Sequence, residues 1–213
     1  MNKILKYNTQ SFFTSDKYDL PLHNLSLSLN QQFSQKRLAD FSTGRYCAIK
    51  ALEQLEIQDA IIPIGEDRAP IWPEGIVGSI SHSDSLTGAI VAKSSDHISL
   101  GLDIEEIGRV TPDLWDLVFT DNEKDYLFRL SYEDTLVQST AIFSIKEAFY
   151  KFQHPLTKTY LDFLDVEVTL PMLTRVKIIS HSFQDITKIR NNEVLLISNK
   201  YYVISLISHS VST

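Results

Sequence analysis

"DTLVQSTAIFSIKEAFYKF", residues 134–152, sets small and apolar side chains at the three-and-four spacing of a helix face, and a stop is expected near Pro155, whose ring removes a backbone donor. On both sides of this stretch the period falls to two. Upstream, "GIVGSISH", "LTGAIVA" and "HISLGLDIEEI" read as short β segments. Downstream, "LDVEVTL", "TRVKIIS", "EVLLIS" and "YYVISLIS" do the same, the last two joined by Asn199-Lys200 as a hairpin. A long helix among antiparallel strands implies an α+β fold.

The same order occurs once more, earlier in the chain. Leu38, Phe41, Ala48, Leu52 and Leu55 form a helical stripe once Arg45 is counted. The charged Arg45 inside that apolar face has two readings: its stem lies on the core with the head in water, or its guanidinium points at a bound anion. "PIGEDRAPIWP" is a loop punctuated by Pro and Gly, and "TPDLWDLVFTDNEKDYLF" opens with a good helix start and continues at helical spacing. Helix followed by strands, twice, predicts two pseudosymmetric halves, 1–108 and 109–213, each a helix on a small antiparallel sheet. The interface between them is then the natural cleft for an active site.

Composition narrows the function. A chain of 213 residues that is 43% hydrophobic can bury a sizeable core. The N-terminal "MNKILKYNTQSFFTS" has no useful apolar run, and no stretch of about 18 apolar residues occurs, so a cytoplasmic protein without a transmembrane segment is expected. Cys47 is the only cysteine, which excludes an intrachain disulfide and a cysteine-rich zinc site. A net charge of −7 disfavours nucleic acid, whose phosphates demand a basic stripe. An anionic ligand would need a local cluster, for which Lys36, Arg37, Arg45 and Lys50 are candidates.

Three segments could carry chemistry. In "GLDIEEI" Asp103 and Glu105 are two apart, which on a strand turns both carboxylates to one face. Two hard anions side by side suit a Mg²⁺ ion that also binds phosphates, although acidic pairs at exposed strand ends are common. Glu106 faces the other way. Glu147 and Lys151 are four apart on the long helix, in the order that favours an intrahelical pair. Such pairs usually decorate a surface, yet Phe143, Ala148, Phe149, Tyr150 and Phe152 crowd the segment. A metal ligand or base beside a phosphate-neutralising cation is the alternative. "GSISHS" supplies Ser79, Ser81 and His82 without the glycine pattern of a nucleophile elbow, and a lone His is more often structural than catalytic.

Taken in order, "GRYCAIKAL", "APIWPEGIVGSISHS", "GLDIEEI" and "FSIKEAFYK" resemble the 4'-phosphopantetheinyl transferases of the surfactin and enterobactin-synthase type. The resemblance covers about Arg37 to Lys151. It implies a monomer of two α+β halves that moves the phosphopantetheine arm of coenzyme A to a serine of an acyl or peptidyl carrier protein. Mg²⁺ is the implied cofactor, 3',5'-ADP the leaving product, and nonribosomal peptide (siderophore) or polyketide synthesis the implied setting.

By motif, Asp103, Glu105 and Glu147 resemble the metal ligands, with Glu147 also the general base, directly or through water. Lys151, with Lys146 beside it, resembles the cation on the α-phosphate, and His82 and Ser81 the pyrophosphate contacts. Arg37 and Arg45 resemble the 3'-phosphate contacts and Arg68 the cation before the Trp-Pro motif. The region from Arg109 to Tyr126 corresponds to the connection where carrier contacts are expected. An inactive relative that binds coenzyme A or the carrier without transfer is the rival reading.

Overall fold

The computed structural model describes residues 8–20, 34–180, 189 and 191–211. The first seven residues, part of the stretch read above for a leader, lie outside them. The chain divides into two compact units, residues 1–100 with 210–213, and residues 101–209. The sequence reading divided the chain at 108/109; the change of unit comes at 100/101, inside a strand, so that Asp103 and Glu105 belong to the same unit as Glu147 and Lys151.

In the first unit, strands β1 (Thr9–Thr14), β2 (Ile76–His82) and β3 (Thr87–Lys93) form an antiparallel sheet in the order β1-β3-β2. Helix α1 (Gln35–Glu53) packs on it. Ser34 starts the helix, its hydroxyl accepting from the Arg37 N–H at 3.2 Å, which satisfies one of the donors a helix start leaves open. Cys47, Ala48, Ala51 and Leu52 bury against Ile62, Ala89 and Val91. Gly44 lets α1 approach the sheet, since a Cβ there would stand 2.9 Å from the Ile80 side chain. The polar residues on the helix are also occupied: Thr43 accepts from the Tyr18 N–H at 3.0 Å and Asp40 from the Lys17 ammonium at 2.7 Å. The segment after β1 is thereby tied along the helix.

In the second unit, α4 (Tyr132–Thr157) is the long helix of 26 residues. It begins at Ser131, which caps the Asp134 N–H, and runs two residues beyond Pro155 to the left-handed Lys158 at φ 53°. Pro155 falls in the last turn, with only two helical residues beyond it; the Lys158 N–H closes that turn on the His154 carbonyl at 2.8 Å.

The strand β4 (His97–Glu106) enters this unit at Gly101 and lies beside β8 (Tyr202–Ser210), which pairs antiparallel with β7 (Glu193–Ser198). The β7–β8 turn is the expected hairpin, held by Asn199 Oδ1, which accepts from the Tyr201 and Tyr202 N–H groups at 2.7 and 3.0 Å. Strands β5 (Val166–Val168) and β6 (Val176–Ile178) make a second, two-stranded antiparallel sheet. Ile142, Ile145, Ala148, Phe149 and Phe152 of α4 are fully buried in the core of this unit.

"TPDLWDLVFTDNEKDYLF" is not one helix. It divides into a 3-10 turn at Pro112–Leu114, α2 (Trp115–Val118) and α3 (Asp121–Leu127). The break at Phe119 and Thr120 has a local cause. Thr120 and Glu123 form a reciprocal capping box, which makes a new helix start more favourable than continuation.

Of the two glycines in the second unit, Gly101 is the more tightly packed. A Cβ built there would stand 1.9 Å from the Ala148 carbonyl oxygen and 2.8 Å from the Phe152 nitrogen. Both are helix backbone, which cannot swing aside. Gly101→Ala is therefore expected to destabilise the fold by about 3 kcal/mol, the upper end for overpacking. Urea denaturation followed by circular dichroism checks it; a midpoint equal to that of the parent would refute the contact.

Candidate functional site

Side chains alternate along a strand, so the face of β4 that meets α4 at Gly101 is also the face of Asp103 and Glu105. The helix answers with residues one turn apart, Glu147 and Lys151. Lys151 donates to Asp103 Oδ1 at 2.7 Å and to the Leu102 carbonyl at 3.1 Å. Asp103 is buried and Lys151 only partly so. The intrahelical Glu147–Lys151 pair suggested by spacing thus gives way to a pair between helix and strand.

The electrostatics of this group are those of crowded anions. Burial, and then the charge of Asp103, push Glu105 up to about 7, with Glu147 adding to the rise and Arg109 and Lys151 opposing it. Arg109 stands 4.0 Å from Glu105 and is largely exposed. Burial also raises Glu147, Asp103 adding to the effect and Lys151 countering it. These carboxylates feel one another and share too little positive charge.

Such a donor set fits a hard divalent cation. All its donors are carboxylate oxygens, and Mg²⁺ characteristically takes one or two carboxylates and fills the rest of its shell with water and phosphate oxygens. Among the described residues, however, no three His, Cys, Asp or Glu side chains stand close enough to hold one ion together. The three-carboxylate set of Asp103, Glu105 and Glu147 is not assembled as such. Asp103 and Glu105, on one strand face, are the pair that suits the cation.

Lys146 does not face a ligand. Its ammonium is fully buried, 2.6 Å from Glu123 and donating to the Val118 and Phe163 carbonyls, both at 2.8 Å. Three donors meet three internal acceptors, so none remains for a phosphate, and the assignment of Lys146 as a coenzyme A contact is corrected on that ground. Its partner Glu123 escaped the sequence reading altogether. The signal was present as Thr120-x-x-Glu123, a capping-box spacing.

The remaining candidates lie in the first unit. Arg45 is buried at 6% exposure, its Nε donating to the Ile62 carbonyl at 2.9 Å and its guanidinium 4.3 Å from the centre of the Phe41 ring. The head is therefore not in water. Burial lowers it to about 10, leaving it charged at neutral pH. Arg37 is exposed in the first turn of α1, while Lys36 pairs with Asp84 at 2.6 Å and Lys50 with Glu53 at 2.8 Å. The four cations do not act as one cluster.

Ser79 and Ser81 are both buried on one face of β2, as alternation requires, and His82 is exposed at its end. Arg68 is exposed at φ 66°, in a turn closed by the Gly65 N–H on the Ala69 carbonyl at 2.8 Å.

Comparison with known proteins bears on most of the chain. Residues 27–92 match the family model of the 4'-phosphopantetheinyl transferase N-terminal domain, and residues 99–206 that of the 4'-phosphopantetheinyl transferase superfamily. Similar curated proteins include 4'-phosphopantetheinyl transferase Svp of Streptomyces mobaraensis, 36% identical over 63% of this chain and 55% of Svp. Npt of Nocardia iowensis, another 4'-phosphopantetheinyl transferase, is 34% identical over 71% of this chain and 67% of Npt. Enterobactin synthase component D of Escherichia coli O157:H7 is 30% identical over 77% and 75%.

The matched stretch is little more than half of Svp. Among solved structures, holo-(acyl-carrier-protein) synthase of Bacillus anthracis in complex with CoA (3',5'-ADP) gives a TM-score of 0.42 at 19% identity, over 55% of this chain and 99% of that one. Two family models in the right order, the second spanning half the chain, and a relative 30% identical over three quarters of its own length carry the assignment. The chain belongs to the 4'-phosphopantetheinyl transferase superfamily.

Proposed function

We propose that this protein transfers the 4'-phosphopantetheine arm of coenzyme A to a serine of an acyl or peptidyl carrier protein, releasing 3',5'-ADP. The observation that carries the proposal is the meeting of strand and helix in the second unit. There Gly101 brings β4 onto α4, so that Asp103 and Glu105 share a neighbourhood with Glu147 and Lys151. Two carboxylates suited to a cation, a third that is half-buried and raised, and a lysine are the groups that phosphoryl transfer requires.

Asp103 and Glu105 would hold Mg²⁺, which when bound supplies positive charge to the pyrophosphate oxygens. Glu147, raised by burial, is proposed as the base. It takes the proton of the carrier serine through a water, and the serine oxygen forms a bond to the phosphorus that carries the pantetheine. The bond from that phosphorus to the bridging oxygen breaks, and its electron pair leaves on 3',5'-ADP. Lys151 is proposed to exchange part of its contact with Asp103 for the α-phosphate and to stabilise the charge that develops there.

Arg37, Arg45, Arg68, Ser81 and His82 are proposed as coenzyme A contacts on the strength of the family motifs. Of these, Arg45 has physical support of its own: a buried guanidinium stacked on an aromatic ring is costly to desolvate, and an anion would repay that. A setting in siderophore or other nonribosomal peptide synthesis is proposed from the likeness to enterobactin synthase component D.

Intact-mass spectrometry of an apo peptidyl carrier protein after incubation with this protein, coenzyme A and Mg²⁺ tests the reaction. The expected result is a gain of one phosphopantetheine arm, lost when EDTA is added. Coenzyme A binding without any mass gain across several carriers would favour the inactive binder. Glu147→Gln is expected to reduce transfer by roughly a thousandfold, since it removes a base from a positioned site, with its thermal midpoint unchanged. Turnover equal to that of the parent would remove Glu147 from the mechanism. Lys151→Met is expected to lower kcat roughly a hundredfold; an effect confined to stability would leave Lys151 only the role of counter-ion to Asp103.

A further inference from the structure

The buried pair of Lys146 and Glu123 lies next to the proposed base and is left unused by the reaction. Both side chains are wholly excluded from solvent, and every strong group on them is occupied. The Lys146 ammonium holds the Val118 carbonyl at the end of α2 and the Phe163 carbonyl just before β5. Glu123 accepts the Thr120 N–H at 2.9 Å on one oxygen and the Val168 N–H of β5 at 2.8 Å on the other. One ion pair therefore fastens α2, the start of α3, α4 and β5 to a single point.

Fold stability does not explain why that point is ionic. A buried ion pair usually gains little over apolar residues of the same volume, because two charges must first be stripped of water. What it does supply is direction, since each of these hydrogen bonds is charge-assisted and tolerates little displacement. Lys146 adjoins Glu147 in the chain, so anchoring its side chain fixes the rotation of α4 at that turn. The pair also holds part of the lining of a cavity of about 170 Å³, which Glu147 lines together with Lys146, Tyr150, Tyr160, Phe163 and Val166. The Phe163 carbonyl and the strand that contains Val166 are both tied to it.

We infer that Lys146 and Glu123 are positioning residues for the transfer reaction: their buried ion pair sets the orientation of Glu147 and of the cavity lining it shares with Phe163 and β5. The inference rests on the transfer reading above and adds to it a role for two residues that touch no substrate. Loosening the pair leaves the proposed coenzyme A contacts outside α4 in place, and Lys151 keeps its own tie to Asp103, so the base is the group misaligned. The chemical step is then slowed while coenzyme A affinity is kept.

Three variants of the full chain test this: Glu123→Gln, which keeps the hydrogen-bonding shape and removes the charge, Lys146→Met, and the two combined. Steady-state kinetics with coenzyme A and an apo carrier protein are measured beside thermal unfolding. Each single variant is expected to unfold at lower temperature and to lose roughly tenfold to a hundredfold in kcat, the usual cost of misplacing a reacting group by about 1 Å. KM for coenzyme A stays within about twofold of the parent.

The double variant, with no lone charge in the core, is expected to regain thermal stability while kcat stays low. Recovery of kcat together with stability would make the pair merely structural and overturn the inference. So would a raised KM with unchanged kcat, which would return Lys146 to the phosphates. If a single variant fails to fold, the double variant decides by itself; if the double variant also fails to fold, the pair is a requirement of the fold and the inference is overturned. A parent protein that transfers nothing overturns the transfer reading, whereas an active parent matched in kcat by the variants overturns this inference alone.

Discussion

At Gly101 a strand backbone rests directly on a helix backbone, with less room between them than a single Cβ would need. That approach governs the rest of the second unit. It fixes how far β4 stands from α4, and alternation along the strand then delivers Asp103 and Glu105 to the helix side. The 2.7 Å contact between Asp103 and Lys151 follows from this spacing. A side chain at residue 101 would lift the strand and carry both carboxylates away with it.

Two consecutive residues of α4 have opposite electrostatic circumstances. Lys146 sits in a network where each donor has an acceptor and each charge a partner. Glu147 stands among carboxylates, raised by burial and by Asp103, beside a Glu105 pushed up to about 7. The first arrangement is rigid and complete, and the second is short of positive charge. A polar network that satisfies itself is suited to hold geometry, whereas a group of anions that does not is suited to receive a cation and a phosphate.

The elements were largely legible in the sequence because most rest on local signals. Period-two alternation identified β2, β3 and β4, and the hairpin of β7 and β8 followed from its turn. The long helix was legible too, although it runs two residues past Pro155, because spacing alone does not say where the final turn closes. The division of "TPDLWDLVFTDNEKDYLF" was missed because helical periodicity persists across the break. Only the capping box at Thr120 and Glu123 marks it.

Spacing and motif made Asp103, Glu105, Glu147 and Lys151 candidates for the site, and the structure sets them on one strand and the helix it meets. What spacing could not supply was the partner each would choose. Lys146 and Lys151 look alike in "KEAFYK", yet one is wholly buried on carbonyls and Glu123 while the other reaches Asp103. That difference depends on which helix face meets which strand, a fact of packing that no local pattern records.

The carboxylates of β4 are proposed to form a cation site completed by the nucleotide's phosphates. Titration of Mn²⁺, a paramagnetic substitute for Mg²⁺, into the protein with 3',5'-ADP, followed by electron paramagnetic resonance, tests that site. One tightly held ion per chain is expected, weakened by roughly a hundredfold or more when Asp103→Asn and Glu105→Gln are combined. Equal Mn²⁺ affinity in the parent and the double variant, or no binding linked to the nucleotide, would contradict it.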